Sequence, residues 1–248
     1  MNFYESLADD YFINMALNTE MALPSQRETV LDFFGRIQKA YPTLQNFQCR
    51  EPAEFALEED KEQDRYRWIG LESRRITSGI VNPVSVEDAM QQHQLVLELA
   101  PYMLSVSPLD CEAIDLMFGF ELEYRGNQDE LVAETLGLGP AFDSLLSLPE
   151  GRPLNVEPGL TLLLTKDCRR QCRVMIETRT HASHVRRNDF PEDAINVYFT
   201  MRQYRDLSRR QSFHETLVEL QEQGEQLIQQ HVVNQILKPL AQAIAEKS

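Results

Sequence analysis

The stretch Ala113–Arg125, AIDLMFGFELEYR, decides the fold. Ile114, Leu116, Phe118, Phe120, Leu122 and Tyr124 take every second position, with Asp115, Met117, Gly119, Glu121 and Glu123 between them. Successive side chains of a strand point to opposite faces, so this pattern predicts one buried apolar face and one free face. Strands of parallel α/β sheets are apolar on both faces, and clean alternation belongs to antiparallel sheets.

The same period appears on either side. Tyr11–Leu23 alternates until Pro24 ends it, and Phe47–Leu57, broken by Pro52, reads as an edge strand or two fragments. Tyr66–Leu71 and Ile76–Val81 read as strands around a turn at Ser73-Arg74, and Leu160–Thr165, Cys172–Val185 and Ile195–Tyr204 complete the set. Helices fall between. A capping box of Ser25 and Glu28 precedes the stripe Val30, Leu31, Phe34, Ile37, Tyr41. Ser85 opens a second helix that runs to about Ala100, before Pro101. Asn127 with Glu130 opens a short one ending near Gly137, and a further turn falls at Phe142–Leu146. Ser212 and Glu215 box the start of a long pattern, Phe213–Ala245, with a gap at Gly224 and a kink expected at Pro239.

Both halves thus read strand, helix, three strands, helix. The expectation is an α+β protein of mainly antiparallel sheet under long covering helices, with a sheet-and-helix module over 1–105 and a second over 106–248, packed as one domain or two. The glycine-rich turn of a Rossmann or P-loop unit is absent.

Charge narrows the function classes. The 248 residues carry 24 Lys+Arg against 39 Asp+Glu, a net of -15, which repels phosphate and argues against nucleic acid or anionic membrane as partners. Residues 1–165 hold 11 basic and 28 acidic side chains, whereas 166–210 hold 11 and 6. This basic belt is nearly all arginine: Arg169, Arg170, Arg173, Arg179, Arg186 and Arg187 are the candidate binding residues, with Lys166, Arg202, Arg205, Arg209 and Arg210 around them. Pairing with acidic surface of the N-terminal half, in the same chain or a neighbouring subunit, is the expectation for them. No apolar run approaches the roughly 20 residues of a membrane span, and MNFYESLADDYF carries acids where a secretory signal needs a basic start. Four scattered cysteines make no disulfide framework. A cytoplasmic chain with reduced thiols is expected.

Chemistry-bearing patterns are sparse. Asp115, Glu121 and Glu123 line the free face of one strand, and paired carboxylates at such spacing are the weak candidates for catalysis. Cys168 and Cys172 precede His181 and His184, but the pairs stand closer than in a zinc finger, and on one strand the two histidines would point to opposite faces. No metal and no cofactor is expected. His214-Glu215 starts an HExxH-like string that Val218 breaks. The lone Trp68 reads as core.

The block RYRWIGLESRRITSGIV (residues 65–81), the strand AIDLMFGFELEYRGN (113–127) and the helix start SFHETLVELQEQ (212–223) resemble a sporadically distributed, functionally uncharacterised family of bacterial cytoplasmic proteins. The resemblance implies a cytosolic, non-membrane protein and no catalytic residue. The functional expectation is therefore a non-catalytic interaction protein that binds a protein partner or itself. The alternative is a small-molecule-binding or hydrolytic module with a pocket between curved sheet and helix.

Overall fold

Burial alternates along parts of the long strands, between runs buried on both faces, in the computed structural model, which describes residues 3–51, 53–206 and 211–247. In chain order the elements are β1 (Asp10–Thr19), α1 (Arg27–Ala40), β2 (Asn46–Glu51), β3 (Glu54–Glu58), β4 (Tyr66–Glu72), β5 (Arg75–Val81) and α2 (Val86–Met103). Then follow β6 (Cys111–Arg125), α3 (Gln128–Leu136), α4 (Pro140–Leu146), β7 (Gly159–Leu163), β8 (Arg170–Glu177), α5 (Ala182–Arg187), β9 (Glu192–Tyr204), α6 (Phe213–Leu227), a π-helical segment (Ile228–Leu237) and α7 (Lys238–Lys247).

The strands form a single nine-stranded sheet in the order β2-β3-β4-β5-β1-β6-β9-β8-β7, antiparallel at every pair. This is the α+β architecture that the alternation implies. In each half the last strand returns to pair with the first, β5 on β1 and β9 on β6. The halves meet where β1 runs against β6, with Ile13 opposite Phe118 and Met15 opposite Leu116. These side chains, with Ile114, Phe120, Val197 and Phe199, are almost wholly buried under the helices. α2 packs on β1 and β5, and α6 packs on β6 and β9. At Gly224 an added Cβ would meet Met201 Cγ at 3.2 Å and Phe118 Cε2 at 3.5 Å, so at the gap in the apolar stripe α6 lies close against the sheet.

Helix ends differ in how well local signals placed them. Asn127 accepts from the Glu130 amide and Gly137 closes α3 at φ 69, as the sequence implies. Both halves of the Ser212–Glu215 box form. The Ser25–Glu28 box does not: α1 starts at Arg27 from an extended Gln26, so Ser25 lies one residue too early to reach the third helical amide. α2 runs through Pro101 to Met103, because a proline in the last turn forfeits a single bond. β1 stops at Thr19, short of Leu23. The terminal helix keeps going through Pro239, but its middle is π-wound, which brings Ile228, Val232, Val233 and Leu237 to the core. Ser212→Ala should lower the urea-unfolding free energy by about 1 kcal/mol, while Ser25→Ala should leave the midpoint unchanged.

No helix among the described residues is long and apolar enough to cross a membrane.

Candidate functional site

Because the long helices cover one face, the other face of the sheet carries the residues left over by the alternation. Asn14 on β1, Thr77 on β5, Met117 on β6 and Thr200 on β9 stand in neighbouring places across it. Trp68 lies opposite Gly79, and its indole would be 2.3 Å from any Cβ added there, so the ring occupies the room that glycine leaves. Phe12 lies over Gly119 in the same way. Between Trp68 on one side and Arg173 of β8 on the other is a groove of about 340 Å³, whose lining includes Asn14, Arg75, Asp115 and Arg202.

Asp115 is fixed at the groove floor. It is 6% exposed and stands directly opposite Arg202. Arg202 donates from Nε to Oδ1 and from Nη2 to Oδ2, both at 2.6 Å, a planar fork that only arginine supplies. Asn18 Nδ2 adds a bond to Oδ2 at 3.1 Å. The hydrogen bonds it donates to Asp115 push the Arg202 pKa above its ordinary value. Both Asp115 oxygens are thus engaged by hydrogen bonds within the sheet. Arg75 and Arg173 enter no ion pair among the described residues. Arg173 Nη2 reaches Met175 Sδ at 2.9 Å.

Glu121 and Glu123 lie further along β6, outside the groove lining. Glu121 is half-buried opposite Asp10, and burial first, then the Asp10 charge, raises its pKa. Glu123 is exposed, and its amide donates to Asp9 Oδ2 at 2.7 Å. The three carboxylates of the sequence reading therefore do not converge.

Nor does the arginine belt form one site. Arg169 pairs with Asp206 at 2.5 Å, Arg170 with Glu219 at 2.5 Å and Arg179 with Asp193 at 3.5 Å, all acids of the second half. Among the described residues Arg202 pairs with Asp115 and Arg205 lies 3.2 Å from Glu20, both acids within 1–165. Within one chain, among the described residues, the expected pairing with the N-terminal half is thus mostly replaced by pairing with close neighbours, because β8, β9 and α6 lie together at the far side of the sheet. Arg186 and Arg187 are exposed on α5, and Arg209 and Arg210 lie outside the described residues.

The strand expected over Cys172–Val185 ends at Glu177, and α5 follows. Strand parity therefore does not apply to His181 and His184, which cap and begin that helix with rings 5.2 Å apart. Among the described residues no three His, Cys, Asp or Glu side chains are grouped to hold a metal ion. All four cysteines are free, Cys49 and Cys168 exposed, Cys111 and Cys172 buried. A second cavity, of about 470 Å³, lies between the ends of β6 and β9 and the start of α6. Cys111 lines it, but burial pushes that thiol up to about 12, which keeps it protonated and unreactive at neutral pH.

The sequence reading missed Trp68, Arg75 and Asn14. Trp68 is not core: it shares parity with Gly70, while Ile69 and Leu71 are the buried pair. Parity within β4 is the sequence signal that places Trp68 on the open face. No family model matches this chain, and no curated protein matches it.

Proposed function

We propose that the chain is a cytoplasmic, non-catalytic interaction protein that holds an extended acidic segment of a partner protein in the groove of its open sheet face. The observation that carries this reading is the charge of the lining. Three guanidiniums, on Arg75, Arg173 and Arg202, face a single carboxylate, and Asp115 is already engaged by Arg202. On a body of net charge -15 such a patch selects for anions by contrast with its surroundings. Trp68 and Met117 beside it supply apolar contact for the stems of a bound chain. The engagement of both Asp115 oxygens by Arg202 supports binding over hydrolysis.

The test is fluorescence anisotropy with a labelled hexaglutamate peptide. Binding should weaken as salt rises. Arg75→Glu and Arg173→Glu should each cost at least tenfold in affinity with no change in melting temperature, since both side chains point out of the core. Equal binding of a hexalysine peptide, or hexaglutamate affinity untouched by both substitutions, would count against the reading. The groove volume of 340 Å³ also suits a small carboxylate ligand, since such sites run from about 300 to 1,000 Å³. Citrate binding to the groove without any peptide affinity would favour that second reading.

A further inference from the structure

The two edges of the sheet are defended unequally. At one edge β2 carries Arg50 and Glu51, its register slips between Cys49 and Glu51, and Arg50 pairs with Glu58 of the neighbouring strand. Charges and a bulge are how proteins keep an edge from pairing with a stranger. At the other edge β7, GLTLL, has no charge and no bulge, and all five residues are exposed. Leu160, Leu162 and Leu163 are 58%, 48% and 56% exposed. A strand both apolar and unguarded is the form taken by an edge that is meant to be covered.

We propose that β7 pairs antiparallel with β7 of a second copy of this chain, joining two nine-stranded sheets into one about a two-fold axis at Thr161. The register follows from the bonds already made. Leu164 N donates to Arg170 O at 2.8 Å and Ile176 N to Pro158 O at 3.0 Å, so the even-numbered residues face β8. Gly159, Thr161 and Leu163 therefore turn their backbone N–H and C=O groups outward. These three are symmetric about Thr161: Gly159 meets the second copy's Leu163, and Thr161 meets itself. On the helix side Leu160 then faces the second copy's Leu162, and Leu162 faces its Leu160.

Charge favours a second copy over an unrelated strand. Glu157 precedes β7 and Lys166 follows it, both exposed, so antiparallel pairing brings the acidic end of each copy to the basic end of the other. Phe142, Leu145, Leu148 and Leu154, on the chain leading into β7, are also exposed and supply apolar area that a five-residue ladder lacks. Thr161 lines the groove, so the two-fold sets both grooves on the same side of the joined sheet. The inference does not depend on what the groove binds.

Light scattering should give a mass twice the 28.7 kDa of one chain, halved by Leu162→Lys with the melting curve unchanged. A second measurement stands if that variant folds poorly. Residues opposed in a hydrogen-bonded antiparallel pair have Cα atoms about 5.5 Å apart, within the range of about 4.4–6.8 Å that a disulfide spans. In a background of Cys49→Ser and Cys168→Ser, Thr161→Cys should give a covalent dimer on mild oxidation, and Gln48→Cys on β2 should not. A monomeric wild-type protein would overturn the proposal. So would a dimer that keeps its mass in Leu162→Lys, or one in which Thr161→Cys stays uncrosslinked.

Discussion

Phe120→Ala should cost about 3–5 kcal/mol. Phe120 is 1% exposed, its ring centroid lies 5.5 Å from that of Tyr4 in an edge-to-face contact, and it sits where β1 and β6 join the halves. Truncation leaves a cavity that the strands on both sides cannot close, because each is fixed in register. Its sequence neighbour should behave in the opposite way. Glu121 points to the open face beside Asp10, and burial with that like charge raises its pKa. Glu121→Gln removes the repulsion and should be neutral or slightly stabilising. Urea unfolding of both variants decides it, and a larger loss for Glu121→Gln would put the register off by one residue.

Acidification should weaken the fold through a single buried side chain. His93, on α2, is fully buried, with Nδ1 2.9 Å from Ser78 Oγ. Burial lowers its pKa from 6.5 to about 3, opposed by a backbone bond to Ile13 and helped by the Arg67 charge. The unfolded chain takes up a proton near 6.5, whereas the folded chain holds the ring neutral until about 3. Unfolding in that window binds a proton, so the stability present above 6.5 is lost as the pH falls toward 3. At 1.36 kcal/mol per pKa unit, two units of acidification cost about 2–3 kcal/mol through this group alone. His93→Gln keeps a polar partner for Ser78 and removes the titration, so its stability should fall less steeply with pH. Carboxylates titrate in both proteins and cancel in the comparison. Parallel pH profiles for the two would show that His93 does not carry the effect.

Around His93 the polar groups form a chain that no local pattern announces. Gln92 donates from Nε2 to Ser78 Oγ at 2.9 Å and to Gly79 O at 3.1 Å, and accepts from Arg67 at 3.1 Å. Arg67 also grips Asp88 at 2.7 Å and stacks 4.9 Å from the Tyr41 ring centre. In the sequence Gln92 and His93 are a polar interruption of a helix stripe. Their meaning depends on β5 lying beneath α2.

The sequence by itself determined what one residue's neighbours along the chain can fix. The period of two in Ala113–Arg125 decided strand, face and antiparallel class together, because side-chain direction in a strand depends on position parity alone. Ser85, Asn127 and Ser212 marked helix starts, because an N-cap side chain accepts from an amide three residues on, and Gly137 marked a helix end, because glycine takes a positive φ without strain. The tertiary structure alone decided the rest. It set the strand order that brings Asp115 under Arg202, 87 residues apart, and sent Arg169 and Arg170 to acids of their own half. It placed Trp68 over Gly79, ended β8 before His181, and left β7 uncovered while β2 was guarded. Each of these rests on contacts between segments distant in sequence, and local periodicity carries no term for which strand becomes whose neighbour.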